Sequence, residues 1–339
     1  MNLKELSQHL GLSQTTVSRA LNGFPEVNET TRLRVQEAAS RFGYAPNASA
    51  RRLATGRLGA IGIVASPQGR TFDPFFSSFL AGLTEGASRD DGDVLVCSAP
   101  QGEEIGYRRI ARIKNVDAVV LTGIRVEDMR VRLLSHLGLP VVTFGRAASS
   151  IPHAFLDLDH AGAVLRAVEL LFGLGHRRVG LLGGAADLTF SEQRRSGWRA
   201  AYLQAGLEAP ADLLAEDLFD DGAAHHAARR MLQGDDPATA FVCADVFLAL
   251  GCGQAIREQG LAIGEDVSVV AHDDGLDVLR ADGLHPALTT TQVSLRAAGR
   301  RVAELASELI GGADPSQLQE VWSVDLIFRG STRPPRKRR

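Results

Sequence analysis

What most limits the folds open to this chain is an alternation running from about residue 60 to residue 310. Short apolar runs occupy 60–64, 94–97, 118–121, 141–144, 179–182, 240–243 and 267–271. Stretches with helical apolar spacing lie between and after them, at 75–88, 161–174, 192–205, 223–232, 248–259 and 295–310. A strand that is apolar along its whole length is covered on both faces, and parallel strands need a crossover, usually a helix, to connect them. So many elements exceed one compact sheet. The expected architecture is α/β, with two doubly wound parallel sheets and a ligand crevice at their strand ends.

The first 57 residues follow a different rule. Leu3, Leu6 and Leu10 recur at helical spacing, and Gly11 breaks the helix. Ser13 suits the N-cap of a second helix, SQTTVSRALN, whose Val17 and Leu21 face inward. Asn28 suits the cap of a third, which runs through Leu33, Val35, Ala38 and Ala39 to Phe42 and stops at Gly43. Two short helices joined by a glycine turn, followed by a third, make a helix-turn-helix unit. Gln14, Thr15, Ser18 and Arg19 form the outer face of the second helix. Gln and Arg can bond adenine and guanine edges, and a Thr methyl can touch thymine. The same residues also suit the solvated face of a small helical module.

Charge separates the two readings. Residues 1–57 hold eight basic and four acidic side chains, net +4, whereas the remaining 282 carry net −7. A basic head on an acidic body points the head toward a polyanion. The segment 44–56, YAPNASARRLATG, is too short to be a stable helix alone. It can fold on DNA, with Arg51 and Arg52 at phosphates and Leu53 as a minor-groove wedge, or serve as a linker. The tail RPPRKRR, net +5, reads as a disordered charge run.

Several classes are excluded. No apolar run reaches the roughly 18 residues of a membrane span. The N-terminus lacks a signal peptide's apolar core, so a cytoplasmic location is expected. Three cysteines, Cys97, Cys243 and Cys252, suggest neither a disulfide framework nor a zinc site. GLLGGAAD lacks the spacing of a nucleotide cradle, His225-His226 lacks HExxH spacing, and GxSxG is missing. No enzyme activity, cofactor or metal is expected.

Binding has better support, because polar residues follow strand ends: Asp73, Arg146, Arg194, Asp245 and Asp273. Carboxylates and guanidinium groups engage hydroxyl-rich ligands through charge-assisted hydrogen bonds. Phe72, Phe75 and Phe219 are candidates for packing on sugar rings. Some of these positions have a plainer role open to them. Asp73 and Asp245 suit helix caps, Phe75 and Phe76 suit the core or a lobe interface, and Trp198 suits packing.

The segments LSQTTVSRALNG and VNETTRLRVQEAASRFGYAPNASARRLATG, then IGIV, resemble the lactose-repressor/galactose-repressor (LacI/GalR) family over about 63 residues. The resemblance runs more loosely to the C-terminus. It implies a helix-turn-helix head at 1–46, a hinge at 47–58, a two-lobed periplasmic-binding-protein-like domain at 59–332 and a basic tail at 333–339. It implies major-groove reading by Gln14, Thr15 and Arg19, a hinge element at Ala50 and Leu53, and phosphate or backbone contacts from Ser13, Asn22 and Asn47. In the body it favours Arg194 and Asp273 as effector contacts, with Asp245 and Asp73 where relatives often carry Asn. Three interlobe crossings are expected near 158–162, 286–292 and 320–326. The implied protein is a homodimeric repressor of a palindromic operator on double-stranded DNA, controlled by a sugar. Its N-terminal segment looks like α-glucoside regulators. A purine- or nucleoside-responsive regulator and a solute-binding protein are the alternatives.

Overall fold

The computed structural model describes residues 1–21, 24–44, 58–65 and 74–336. The chain divides into two compact units, 1–58 and 59–339.

The first unit contains α1 (Leu3–Leu10), α2 (Gln14–Leu21) and α3 (Glu29–Arg41). Asn2 and Glu5 close a capping box on α1, and Gly11 ends it with φ 65°, a left-handed conformation that glycine adopts without strain. Ser13 Oγ accepts the Thr16 N–H at 3.0 Å, and Asn28 Oδ1 accepts that of Thr31 at 2.8 Å. Leu6, Leu10, Val17, Ala20, Val27, Val35 and Ala39 form the core. Leu33 is 52% exposed, so it is not the core residue its spacing suggested. Two of the basic residues hold this fold together. Arg34 donates to the Leu10 carbonyl at 2.6 Å, and Arg32 to those of Phe24 and Val27, both at 3.2 Å.

The second unit has two lobes. The N-lobe sheet has the order β11-β5-β4-β3-β1-β2, all parallel: β1 (Ala60–Ala65), β2 (Asp93–Ser98), β3 (Ala118–Leu121), β4 (Val141–Phe144), β5 (Ala154–Leu158) and β11 (Gln319–Trp322). Successive residues of β1 and β3 face opposite sides. Ile61, Ile63, Ala118 and Val120 meet α4 (Pro74–Ser88) and α11 (Leu295–Ile310). Ala60, Val119 and Leu121 meet α5 (Glu103–Ile113) and α6 (Arg130–His136).

The C-lobe sheet has the order β12-β10-β9-β8-β6-β7: β6 (Val179–Leu182), β7 (Leu214–Ala215), β8 (Ala240–Cys243), β9 (Ser268–Asp273), β10 (Thr289–Gln292) and β12 (Asp325–Ile327). Only β12 is antiparallel to its neighbour. Its helices pack in pairs, α7 (His160–Gly173) on α8 (Thr189–Gln204) and α9 (Asp221–Leu232) on α10 (Val246–Glu258). Trp198 lies in this core, 1% exposed, its indole N–H donating to the Val179 carbonyl at 2.9 Å. Cys243 and Cys252 are buried there as free thiols.

The chain passes between lobes after β5, after β10 and after β11. The second passage falls at 293–294 and not within 286–292, because residues 289–292 are still paired in the C-lobe sheet. The passages share a small apolar cluster of Leu158, Ala163 and Val324, flanked by Phe144, Val293 and Trp322. Arg166 staples two of them, pairing with Asp159 at 3.3 Å and donating to the Val324 carbonyl at 2.9 Å.

Residues 333–336 are not the loose tail their composition suggested. Arg333 N–H donates to Ser268 Oγ at 3.0 Å, and Arg336 pairs with Glu265 and Asp266. Residues 337–339 lie outside the described residues.

Candidate functional site

Strand ends of both sheets converge on a cavity of about 810 Å3 between the lobes. Ordinary small-molecule sites occupy roughly 300–1,000 Å3. Among the described residues the lobes meet around it at three places. The loops carrying Arg125 and Leu188 form an antiparallel bridge, in which Val126 N–H donates to the Asp187 carbonyl at 3.0 Å and Thr189 N–H to that of Ile124 at 2.8 Å. Phe75 of α4 and Phe247 of α10 meet edge to face at 5.7 Å. Near the passages, Gln193 donates to Asp157 Oδ2 at 3.1 Å.

Of the effector candidates, Phe75, Arg194, Phe219 and Asp245 line this cavity. Arg194 rises from α8, is 8% exposed, and lies over the Phe190 ring at 5.1 Å. It makes no ion pair within 4 Å among the described residues. Burial pushes its pKa down, while the charges of Asp274 and Asp245 act the other way. Asp245 combines two roles: Oδ1 caps α10 by accepting the Leu248 N–H at 2.8 Å, and the residue also borders the cavity. Phe75 likewise serves both the lobe contact and the wall, while Phe219 stands half-exposed at the rim.

Two candidates lie elsewhere. Arg146 is not on the described wall. It follows Gly145, whose φ of 105° turns the chain, and its Nε reaches Asp157 at 3.5 Å. Asp273 is buried with Oδ1 accepting the Gly275 N–H at 2.9 Å; the next residue, Asp274, borders the cavity instead. Adjacent residues in extended chain point to opposite sides, so one step in register exchanges the two carboxylates. Phe72 and Asp73 lie outside the described residues.

Residue reading missed His160, Asp157 and Asp274 on the wall. Burial raises the Asp157 carboxyl pKa and holds the His160 imidazole well below its usual range, with the Arg194 and His272 charges adding to the latter. The described wall carries five carboxylates, Glu103, Asp157, Asp187, Asp245 and Asp274, and three guanidinium groups. Arg125 and Arg130 face Glu103, while Arg194 stands near Asp245 and Asp274. Phenylalanines fill the space between.

In the first unit, Ser13, Gln14, Thr15 and Arg19 are exposed, and Ser18 is half-buried. Gln14, Thr15, Ser18 and Arg19 share the face of α2 opposite Val17 and Ala20, which are buried. Ser13 gives its hydroxyl to the helix cap and to Thr16 Oγ1 at 2.8 Å. Asn22, Asn47, Ala50 and Leu53 lie outside the described residues.

A two-lobed binding fold with an interlobe cavity, on one chain with a helix-turn-helix head, defines a ligand-responsive DNA-binding regulator. The profile for bacterial regulatory proteins of the lacI family matches residues 2–47, and that for periplasmic binding proteins and the sugar binding domain of the LacI family matches 59–326. The chain belongs to the LacI family of transcription regulators, which are not enzymes. The HTH-type transcriptional regulator AglR of Rhizobium meliloti (strain 1021) is 45% identical over 341 residues, covering 98% of this chain and 95% of that protein. The solved transcriptional regulator CelR-cellobiose complex matches at 26% identity with TM-score 0.69, covering 98% and 99% of the two chains. The lac repressor dimer bound to operator and the anti-inducer ONPF shares the fold, with TM-score 0.76 at 23% identity over 98% and 99%. Family membership sets aside the reading as a transporter's solute receptor.

Proposed function

We propose that this regulator represses transcription as a dimer on a palindromic operator and that a neutral sugar of the α-glucoside class, bound between the lobes, controls its hold on DNA. The observation that carries the sugar is Arg194: a buried guanidinium facing the cavity with no carboxylate in pairing range among the described residues. A desolvated cation of this kind needs hydrogen-bond acceptors, and ligand hydroxyls supply them. Carboxylates outnumber guanidinium groups on the described wall, five to three, which suits a neutral ligand better than a phosphorylated one. Phenylalanine faces suit the apolar sides of sugar rings. The likeness to AglR supports the α-glucoside class, and the likeness to a regulator solved with cellobiose, a β-linked disaccharide, supports a sugar more generally.

On the DNA side, Gln14, Thr15, Ser18 and Arg19 read the major groove, Ser13, Asn22 and Asn47 position the backbone, and Ala50 with Leu53 open the minor groove. Effector closing the lobes shifts the dimer between states of different operator affinity, a coupling of about 1–3 kcal/mol. The protein works in the cytoplasm, at the nucleoid.

A thermal-shift and titration screen against maltose, trehalose, sucrose, sugar phosphates, purines and nucleosides tests this. A shift with one disaccharide, abolished in Arg194→Ala, is expected. A shift with purines alone overturns the sugar and keeps the regulator. On the operator, Arg19→Ala should cost about 1–3 kcal/mol and relax base preference. Equal losses on operator and random DNA would refute that role.

A further inference from the structure

Buried polar atoms in folded proteins nearly always have partners, so exceptions are informative. Six side-chain atoms among the described residues are buried without one, and three of them are His160 Nδ1, from the cavity wall, and Ser191 Oγ and His272 Nε2, which lie behind that wall. His160 opens α7 directly after the first passage between lobes, is 7% exposed and lines the cavity. His272 lies on β9 with its ring centre 5.7 Å away. Ser191 sits in the first turn of α8 and is buried; a side-chain carbon added to cavity-lining Gly184 would lie 4.0 Å from its oxygen. Phe190, next in sequence to Ser191, places its ring 5.7 Å from His160 and carries the Arg194 guanidinium.

The hydrogen-bonding roles complement one another. Desolvation and the nearby Arg194 charge keep His160 neutral, so one of its ring nitrogens is an acceptor. His272 Nδ1 is 2.9 Å from Thr291 Oγ1. With that hydroxyl donating, Nε2 keeps its proton and faces Asp274 Oδ1 at 3.4 Å, too far for a good hydrogen bond. Ser191 can donate or accept. A group that both donates and accepts through one atom fits such a corner, and the aliphatic hydroxyl is that group.

We propose that His160, Ser191 and His272 form a recess on the C-lobe side of the cavity that binds one hydroxyl of the effector and selects among sugars by the position of that hydroxyl. The proposal rests on the sugar reading above. Arg194 anchors any polyhydroxyl ligand, and the recess discriminates between them.

Calorimetric titration of the full chain with maltose, trehalose and sucrose, and with monodeoxy derivatives of whichever binds, tests this. One monodeoxy sugar should bind wild type about tenfold more weakly than its parent, the scale of one lost hydrogen bond. His160→Phe keeps the ring and removes its nitrogens. It should weaken the parent sugar about tenfold and bind parent and that monodeoxy sugar equally. An unchanged deoxy pattern in His160→Phe overturns the recess and leaves the sugar reading standing. Wild type that takes none of the three disaccharides overturns both. Ser191→Ala and His272→Phe repeat the comparison if His160→Phe does not fold, and two unchanged patterns there are equally fatal.

Discussion

Single residues here carry opposing demands. Arg194 is buried at a cost in desolvation, so the ligand-free protein holds it against its own stability. Arg194→Met should leave the melting temperature of the free protein unchanged or raised, while effector affinity falls about a hundredfold, the loss of two charge-assisted hydrogen bonds. Calorimetry of free and ligand-saturated protein checks both halves, and a lowered melting point would show the arginine to be structural. His160 and His176 have depressed pKa values, chiefly through burial. Their neutral forms are favoured in the fold, so the unfolded chain binds more protons below its ordinary value of 6.5. Their stabilisation is fully present above that pH and is lost as pH falls through it. Denaturant titrations from pH 8 to pH 5 should show this decline, and His176→Gln should flatten it. Arg194 and Asp245 were legible because they follow apolar runs that end as strands. Asp274 was not, since a one-residue step decides which carboxylate faces inward. His160 had no local signal, for a lone histidine at a helix start reads as core.

At the scale of elements, the parallel strands were legible wherever Val, Ile and Ala ran continuously. The strands missed were β5, β7, β10, β11 and β12. β11, QEVW, has two polar residues followed by two apolar ones, is exposed on alternate residues, and pairs with β5 far back in the chain, as Gln319 opposite Phe155 shows. Such pairing leaves no periodic trace near either partner. Close helix contacts were equally invisible in sequence. A Cβ built on Gly251 of α10 falls on the Asp221 carbonyl of α9, and one on Gly82 of α4 falls on that of Arg296 in α11. Backbone cannot yield as a flexible side chain does, so Gly251→Ala should destabilise the C-lobe by about 1–3 kcal/mol. Chemical denaturation measures this directly; a loss below about 0.5 kcal/mol would mean the helices separate freely.

For the whole molecule, the bridge between the Ile124–Val126 and Asp187–Thr189 loops links the lobes through backbone hydrogen bonds. Thr189 is the first residue of α8, where proline is tolerated, and Leu188 before it has the extended conformation (φ −89°, ψ 141°) that proline requires. Thr189→Pro should therefore keep the fold, delete the bond to Ile124, and weaken effector binding about 2- to 10-fold, the worth of one hydrogen bond. Unchanged affinity would show that the bridge does not help to hold the lobes closed. The three passages between lobes bear also on how the protein is made. The helical head closes on contacts within its first 44 residues and can fold as soon as it leaves the ribosome. Neither lobe has that freedom. The N-lobe lacks an inner helix until 295–310 is synthesised and an edge strand until 319–322, and the C-lobe waits for 325–327 and for buried Ser331 and Thr332. A nascent chain halted anywhere between residues 160 and 295 leaves bare the apolar sheet face that α11 covers, so for much of its synthesis this protein exposes the kind of surface that chaperones bind.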